Sequence, residues 1–262
     1  MTTNDTTPRL HAADLQLAYG RTAALRGASL EIGPGAILAL VGPSGSGKTT
    51  LLHCLAGLLV PDSGTVRFGD VIVNELTDDE RTALRRDSFG FVLQFGHLVP
   101  DLTLVENVAL PLLLRGQGRA TAMSRAREAV DELGLGDSAR RHPADVSGGQ
   151  QQRAAVARAL VGNPSVVFAD EPTGALDVAN GDRVMDLLVN AARERGTSVV
   201  LVTHDTTRLA GVDRVVRIVD GQTAEGQPPD SRSADAATAA TAAVAPVAAG
   251  AGGAPHAPPA SA

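Results

Sequence analysis

Seven residues, AILALVG (Ala36 to Gly42), lead without a break into PSGSGKT (Pro43 to Thr49). An uncharged apolar run of that length reads as a strand covered on both faces. The residues from Thr49 to Leu58 read as a helix, and the glycines between strand and helix supply a tight turn. A strand buried on both sides that continues into a helix belongs to a mainly parallel sheet. This one junction therefore directs the whole chain towards an α/β architecture.

The rest of the chain repeats the alternation. SVVFAD (Ser165 to Asp170) and TSVVLVTH (Thr197 to His204) are buried-strand runs of the same kind. DRVVRIVDG follows, with Asp220-Gly221 as a turn signal. Nearer the start, DLQLAYG sets Leu15, Leu17 and Tyr19 on one face, and ASLEIG does so for Ala28, Leu30 and Ile32. Those two are half-buried, edge-type strands. Helices are expected at Thr49 to Leu58, Arg119 to Leu133, Gln150 to Val161 and Val178 to Arg195. Thr103 with Glu106 fits a capping box, so a further helix starts there. The stretch of about 82–145 is mostly helical, contains no fully buried strand after FGFVLQ, and is expected to be a helical insert in the α/β core. No internal repeat is visible.

Composition narrows the function classes. The chain has 262 residues, enough to bury a sizeable core. With five Phe, one Tyr and no Trp, that core has to be built from Leu, Val and Ala. A formal net charge of -6 argues against a general nucleic-acid binder. The single Cys54 has no partner for an internal disulfide, and with no secretory signal a reducing cytosol is expected. No run of strongly apolar residues is long enough to span a membrane. From 225 to 262 the sequence is mostly Ala, Pro, Gly, Ser and Thr, which is expected to be a disordered tail beyond a folded domain of 10–224.

The chemistry sits at three places. Gly42 to Thr49 fits the pattern G-x-x-x-x-G-K-S/T in full. Its glycines let backbone N–H groups turn inward around phosphate oxygens, and the helix start adds about half a positive charge. Lys48 suits the β- and γ-phosphates, and the Thr49 hydroxyl suits Mg2+. Gly42, Pro43, Ser44, Gly45, Ser46, Gly47, Lys48, Thr49 and Thr50 are thus the candidate nucleotide contacts. The second place is VVFADEP, where a buried strand ends in Asp170 and Glu171. Carboxylates at such an edge lie in the crevice where these sheets bind ligands. Asp170 would hold Mg2+ through water, and Glu171 could polarise an attacking water as general base. The third is VSGGQ (Val146 to Gln150). Ser147 with Gln150 fits a capping box, and Gly148 and Gly149 leave the backbone amides bare. This second anion cradle has no lysine. Either it holds a phosphate group alone, or it completes the nucleotide site of another copy.

These motifs together resemble an ATP-binding-cassette ATPase over residues 10 to about 223. The phosphate loop, VSGGQ and FADEPTGALD occur in that family's order and approximate spacing. The resemblance implies a P-loop NTPase core with a mainly parallel sheet, an N-terminal antiparallel β subdomain and the inserted helical subdomain. It implies ATP and Mg2+ as ligands, Glu171, His204 and Gln94 as catalytic groups, and Thr49, Gln94 and Asp170 around the metal. Tyr19 resembles the aromatic that stacks on adenine, and Gln94 the glutamine that touches Mg2+ and water and senses a membrane partner. Asp177 in GALD resembles the residue that communicates across a dimer, and His204 the histidine at the γ-phosphate. Ser147, Gly148, Gly149 and Gln150 resemble the signature that closes on the partner's nucleotide. Val146 departs from the usual Leu but is apolar too. His53, His97 and Cys54 are expected to be structural.

FVLQFGHLVPDLTLVENVALPLLL with DEPTGALD is similar, more narrowly, to the subfamily serving lipoprotein release and macrolide or peptide export. That implies a homodimer or pseudo-dimer at the cytoplasmic face of a membrane, working with a separate permease and not with nucleic acid. The alternative is a non-transport cassette ATPase acting on DNA or another macromolecular complex. Those relatives carry a long coiled-coil insertion, and no heptad run is present here. A simple nucleotide kinase or GTPase needs no second cradle.

Overall fold

The structure is a computed structural model and describes residues 9–94 and 96–226. Strand β1 (Leu10–Tyr19) and strand β2 (Thr22–Ile32) form an antiparallel hairpin, and β4 (Ser63–Phe68) and β5 (Val71–Ile72) extend it in the order β2-β1-β4-β5. β1 begins four residues before the expected start. Leu10 and Ala12 are buried, and so are Leu15 and Leu17. The inward parity switches between these pairs because Asp14 takes a left-handed conformation, φ 51°, at an irregularity in the ladder.

The second sheet has six strands in the order β10 (Gln222–Gly226), β9 (Arg214–Val219), β3 (Ile37–Val41), β8 (Ser198–Val202), β7 (Val166–Asp170) and β6 (Phe89–Val92). All neighbours are parallel except β10, which returns along β9 through the Asp220-Gly221 turn. Parity along β3 divides the apolar side chains. Leu38 and Leu40 pack with Leu51, Leu52 and Leu55 of helix α1 (Lys48–Leu55) and with the first sheet. Ile37, Ala39 and Val41 pack with helices α3 (Leu104–Leu114), α4 (Arg119–Glu132), α5 (Gly148–Leu160) and α6 (Val178–Arg195). Each fully buried leucine contributes about 1.5–3 kcal/mol, so a core poor in aromatics loses little. Among the described residues the phenylalanines concentrate at one seam, where Phe68 meets Phe89 and Phe168 meets Phe89 and Phe91.

Two boundaries of the domain organisation also differ from expectation. Helix α2 (Asp78–Ser88) leads into β6, and β6 pairs in parallel with β7 as the edge of the main sheet. The all-helical stretch therefore begins at Leu104 and not near residue 82: Phe89 and Val92 are buried and their backbone needs a ladder. At the other end β10 runs to Gly226, two residues beyond the expected domain end, because it completes the hairpin with β9. The remainder of the expected tail lies outside the described residues. Among the described residues no helix is long and apolar enough to cross a membrane.

Candidate active site

The phosphate loop is squeezed from two sides. A Cβ on Gly42 would come 2.1 Å from the carbonyl oxygen of Ile218 in β9, and one on Gly47 would come 2.4 Å from that of Ala24 in β2. Gly47 also caps α1 at φ 102°, a conformation other residues rarely take. Glycine is thus required at both positions by contact, and at Gly47 by backbone as well. The first turn of α1 contains no acid and receives no side-chain cap. Lys48 is buried, and its Nζ donates to the carbonyl oxygens of Gly42 at 3.0 Å and Pro43 at 2.8 Å. Ser46 Oγ is buried with no hydrogen-bond partner among the described residues. A buried hydroxyl without a partner, beside bare helix amides and a lysine, fits an anion with several oxygens.

Pro43, Ser44, Gly45 and Thr49 are exposed and Thr50 is half-buried. Thr49 Oγ1 donates to Asp170 Oδ1 at 3.2 Å, which joins the end of β7 to the loop. Burial raises the Asp170 carboxyl above its ordinary range, against the Thr49 hydrogen bond and the positive field of His53 and Lys48. Among the described residues no cluster of three or more His, Cys, Asp or Glu could cage a metal. One hydroxyl and one carboxylate suit Mg2+, which keeps waters and takes substrate phosphates instead of an all-protein cage.

Glu171 N donates to Val202 O at 2.9 Å, and Thr203 N to Leu40 O at 3.1 Å, so the ends of β7, β8 and β3 are tied together beneath the loop. Glu171 itself turns to φ 45°, a conformation costing on the order of 1–3 kcal/mol. Its Oε1 lies 3.1 Å from Nδ1 of His204. Gln94 arrives from the end of β6. A Cβ on Gly174 would lie 3.1 Å from both Gln94 Nε2 and Glu171 Oε2, so the amide and the carboxylate face each other across that glycine. Gln152 of α5 fixes the approach by donating to Leu93 O at 3.2 Å.

The remaining candidates lie elsewhere. Tyr19 ends β1 with 55% of its surface exposed, beyond the core edge that covers Leu15 and Leu17. Ser147 caps α5: its Oγ accepts from Gln150 N at 3.3 Å and its own N donates to Gln150 Oε1 at 3.0 Å. Ser147 and Gly148 are exposed, and a Cβ on Gly149 would press on Asn180 Oδ1 at 3.0 Å. Val146 packs against the helical side of the core. Asp177 caps α6, accepting from Asn180 N at 2.9 Å and Asn180 Nδ2 at 2.7 Å. Among the described residues no hydrogen bond joins Ser147–Gln150 to the phosphate loop. Sequence reasoning missed Asn180, three residues after Asp177 in a D-x-x-N cap, and Arg208, three residues after its partner Asp205. Cys54 is buried in the core as expected, and burial, with Asp62 nearby, pushes its thiol up to about 12.

Residues 25–174 match the family model described as ABC transporter. The lipoprotein-releasing system ATP-binding protein LolD of Novosphingobium aromaticivorans is 48% identical over 197 residues, covering 75% of this chain and 88% of that protein. LolD of Geobacter metallireducens is 45% identical over 217 residues, 81% of this chain and 96% of that protein. Among solved structures, the dimeric ATP-binding cassette MJ0796 in a post-hydrolysis state bound to ADP and Pi superposes with a TM-score of 0.76. It is 37% identical and covers 82% of this chain and 98% of that one. A second dimeric structure of the same cassette gives a TM-score of 0.76 at 38% identity. With more than half of its length matched by the family and full-length relatives at this identity, the chain belongs to the ABC transporter family and is one of its ATP-binding, ATP-hydrolysing members.

Proposed function

We propose that two copies of this chain close on two ATP molecules and drive a separate membrane permease from the cytoplasmic face, in lipoprotein release or a closely similar export process. One observation carries the reading. The Thr49–Asp170 hydrogen bond joins the phosphate loop to the acidic strand end, with Glu171 and His204 paired beside it, while the Ser147–Gly149 cradle stays apart on its own helix. The relatives named for the lipoprotein-releasing system support the permease and the cargo class.

Each chain would bind ATP on Lys48 and the loop amides, with Tyr19 against the adenine. Mg2+, when bound, would neutralise charge building on the β- and γ-phosphate oxygens. Thr49, Asp170 and Gln94 would hold it. Glu171 would take a proton from the attacking water, and His204 would orient both the water and the terminal phosphate. Ser147, Gly148, Gly149 and Gln150 of the second copy would close the other side of the triphosphate, with Asp177 at the seam. Positioning and charge stabilisation then supply most of the catalysis. The longest helix among the described residues, α6, has 18 residues, which gives no support to a coiled-coil ATPase acting on DNA.

The test is Glu171→Gln. ATP binding should persist, hydrolysis should fall roughly 10²–10⁴-fold, and ATP-loaded dimers should accumulate in sedimentation velocity. Hydrolysis at the parent rate would remove Glu171 from its role.

A further inference from the structure

The loop after β8 carries His204, and one side chain braces it. Arg208 closes the short 3-10 turn Thr206–Arg208 that follows. Its Nε lies 3.3 Å from Asp205 Oδ2, next to His204, and 3.0 Å from Asp182 Oδ1 on α6. The Arg208 side chain is only 15% exposed, so its contact with the partly buried Asp205 is less screened than a surface pair, whereas Asp182 stands half in solvent. The other oxygen of Asp205 accepts from Thr207 N at 3.0 Å, which locks the turn onto the same carboxylate.

α6 makes room for the bridge. Gly181 is buried in its second turn, and a Cβ there would stand 2.4 Å from Arg208 Nη1. One end of the guanidinium, at Nη1, therefore occupies the space that a side chain at position 181 would fill. The same helix starts at Asp177, whose carboxylate holds Asn180 N and Nδ2, and Asn180 Oδ1 lies 3.0 Å from where a Cβ on Gly149 of the signature would stand. Arg208 and His204 also line one cavity of about 190 Å3 together with Glu171, Thr173 and Gly174.

From this geometry we infer that Arg208 is a positioning residue: it fastens the His204 loop to the start of α6, so that Asp177 and His204 move as one body when two copies close. The inference rests on the proposed roles of His204 and Asp177 and adds the part that connects them.

Two substitutions test it in different ways. Arg208→Ala removes the bridge. Gly181→Ala keeps every charge but displaces the guanidinium, which is the far end of a flexible side chain and moves without disturbing the backbone. An ordinary Gly→Ala change inside a helix raises the melting temperature by about 2–3 °C and leaves turnover alone. Here Gly181→Ala should lower kcat several-fold even in a protein that melts no earlier than the parent. Arg208→Ala should lower kcat roughly tenfold, the scale of a modest misplacement of a reacting group. KM for ATP and nucleotide binding by the monomer should stay within about twofold of the parent. The double variant should be no slower than Arg208→Ala alone, because both changes break one contact.

If both single variants keep the parent kcat, or if their effects multiply, the coupling is wrong. If Arg208→Ala does not fold, Gly181→Ala decides by the same kcat measurement. His204→Ala separates the two levels. Should it hydrolyse ATP at the parent rate, the role of His204 itself falls and the inference with it. Should it be slow while Arg208→Ala and Gly181→Ala run normally, only the link through Arg208 falls.

Discussion

Asp170 and Glu171 are neighbours in sequence with different surroundings. Asp170 still belongs to β7, and burial raises its carboxyl while Thr49 holds one oxygen. Glu171 leaves the strand through a left-handed turn and meets His204. The two adjacent acids thus sit in different environments, which suits the separate tasks proposed for them. Cys54 shows the same control in an inert group. Its thiol sits behind the phosphate loop and is pushed up to about 12 by burial, so at pH 8 almost no thiolate forms. A disulfide reagent at that pH should leave the native protein unlabelled over minutes and titrate one thiol after denaturation. Rapid stoichiometric labelling of the native protein would contradict that burial. At this scale the sequence revealed those residues whose chemistry depends on near neighbours, such as Lys48 and Thr49 within one loop. Arg208 stayed hidden because its i,i+3 pair with Asp205 marks no site by itself, and Asp182, its other partner, lies on another element with no spacing rule between them.

Elements were legible where both ends carry a stop. α6 runs from Val178 to Arg195 as expected, because Asp177 caps it and Gly196 leaves it at φ 63°. β6 was harder to assign to the sheet. Its four residues follow a polar helix and precede helical sequence, and only pairing with β7 explains them. α2 was passed over although Thr77 and Glu80 form a complete capping box, because a helix with no buried residue has no apolar period to read. That contrast predicts unequal effects for two equal caps. Thr103 and Glu106 close the same box on α3, but α3 buries Leu104, Val105, Val108 and Leu112 against the helical core. Thr103→Ala should lower the unfolding free energy by about 1 kcal/mol in denaturant titration. Thr77→Ala should cost clearly less, since α2 can fray without opening the core. Equal losses would mean that α2 unfolds only with the rest.

At the scale of the whole molecule, the proposed ATPase site is exposed on one side among the described residues. β3, β7 and β8 bring the phosphate loop, Asp170, Glu171 and His204 to one sheet edge, while α5 holds Ser147 and Gly148 exposed with no acid in its first turn. A helix start of that kind attracts anions, yet among the described residues no hydrogen bond links it to the loop. A second copy can supply what is missing, and a structurally similar cassette has been solved as a dimer. Ser147→Arg places a long side chain on the exposed cradle. In the Glu171→Gln background this variant should bind ATP as tightly as its parent and yet remain monomeric in sedimentation velocity. Ser147 also caps α5, so the substitution loses about 1 kcal/mol of helix stability in addition. Ser147→Ala loses the same cap without the bulk, and should still dimerise, at a higher protein concentration. If the arginine variant dimerises like its parent, the cradle faces no nucleotide. If it loses ATP binding as a monomer, the cradle belongs to its own chain's site, and the shared arrangement is excluded.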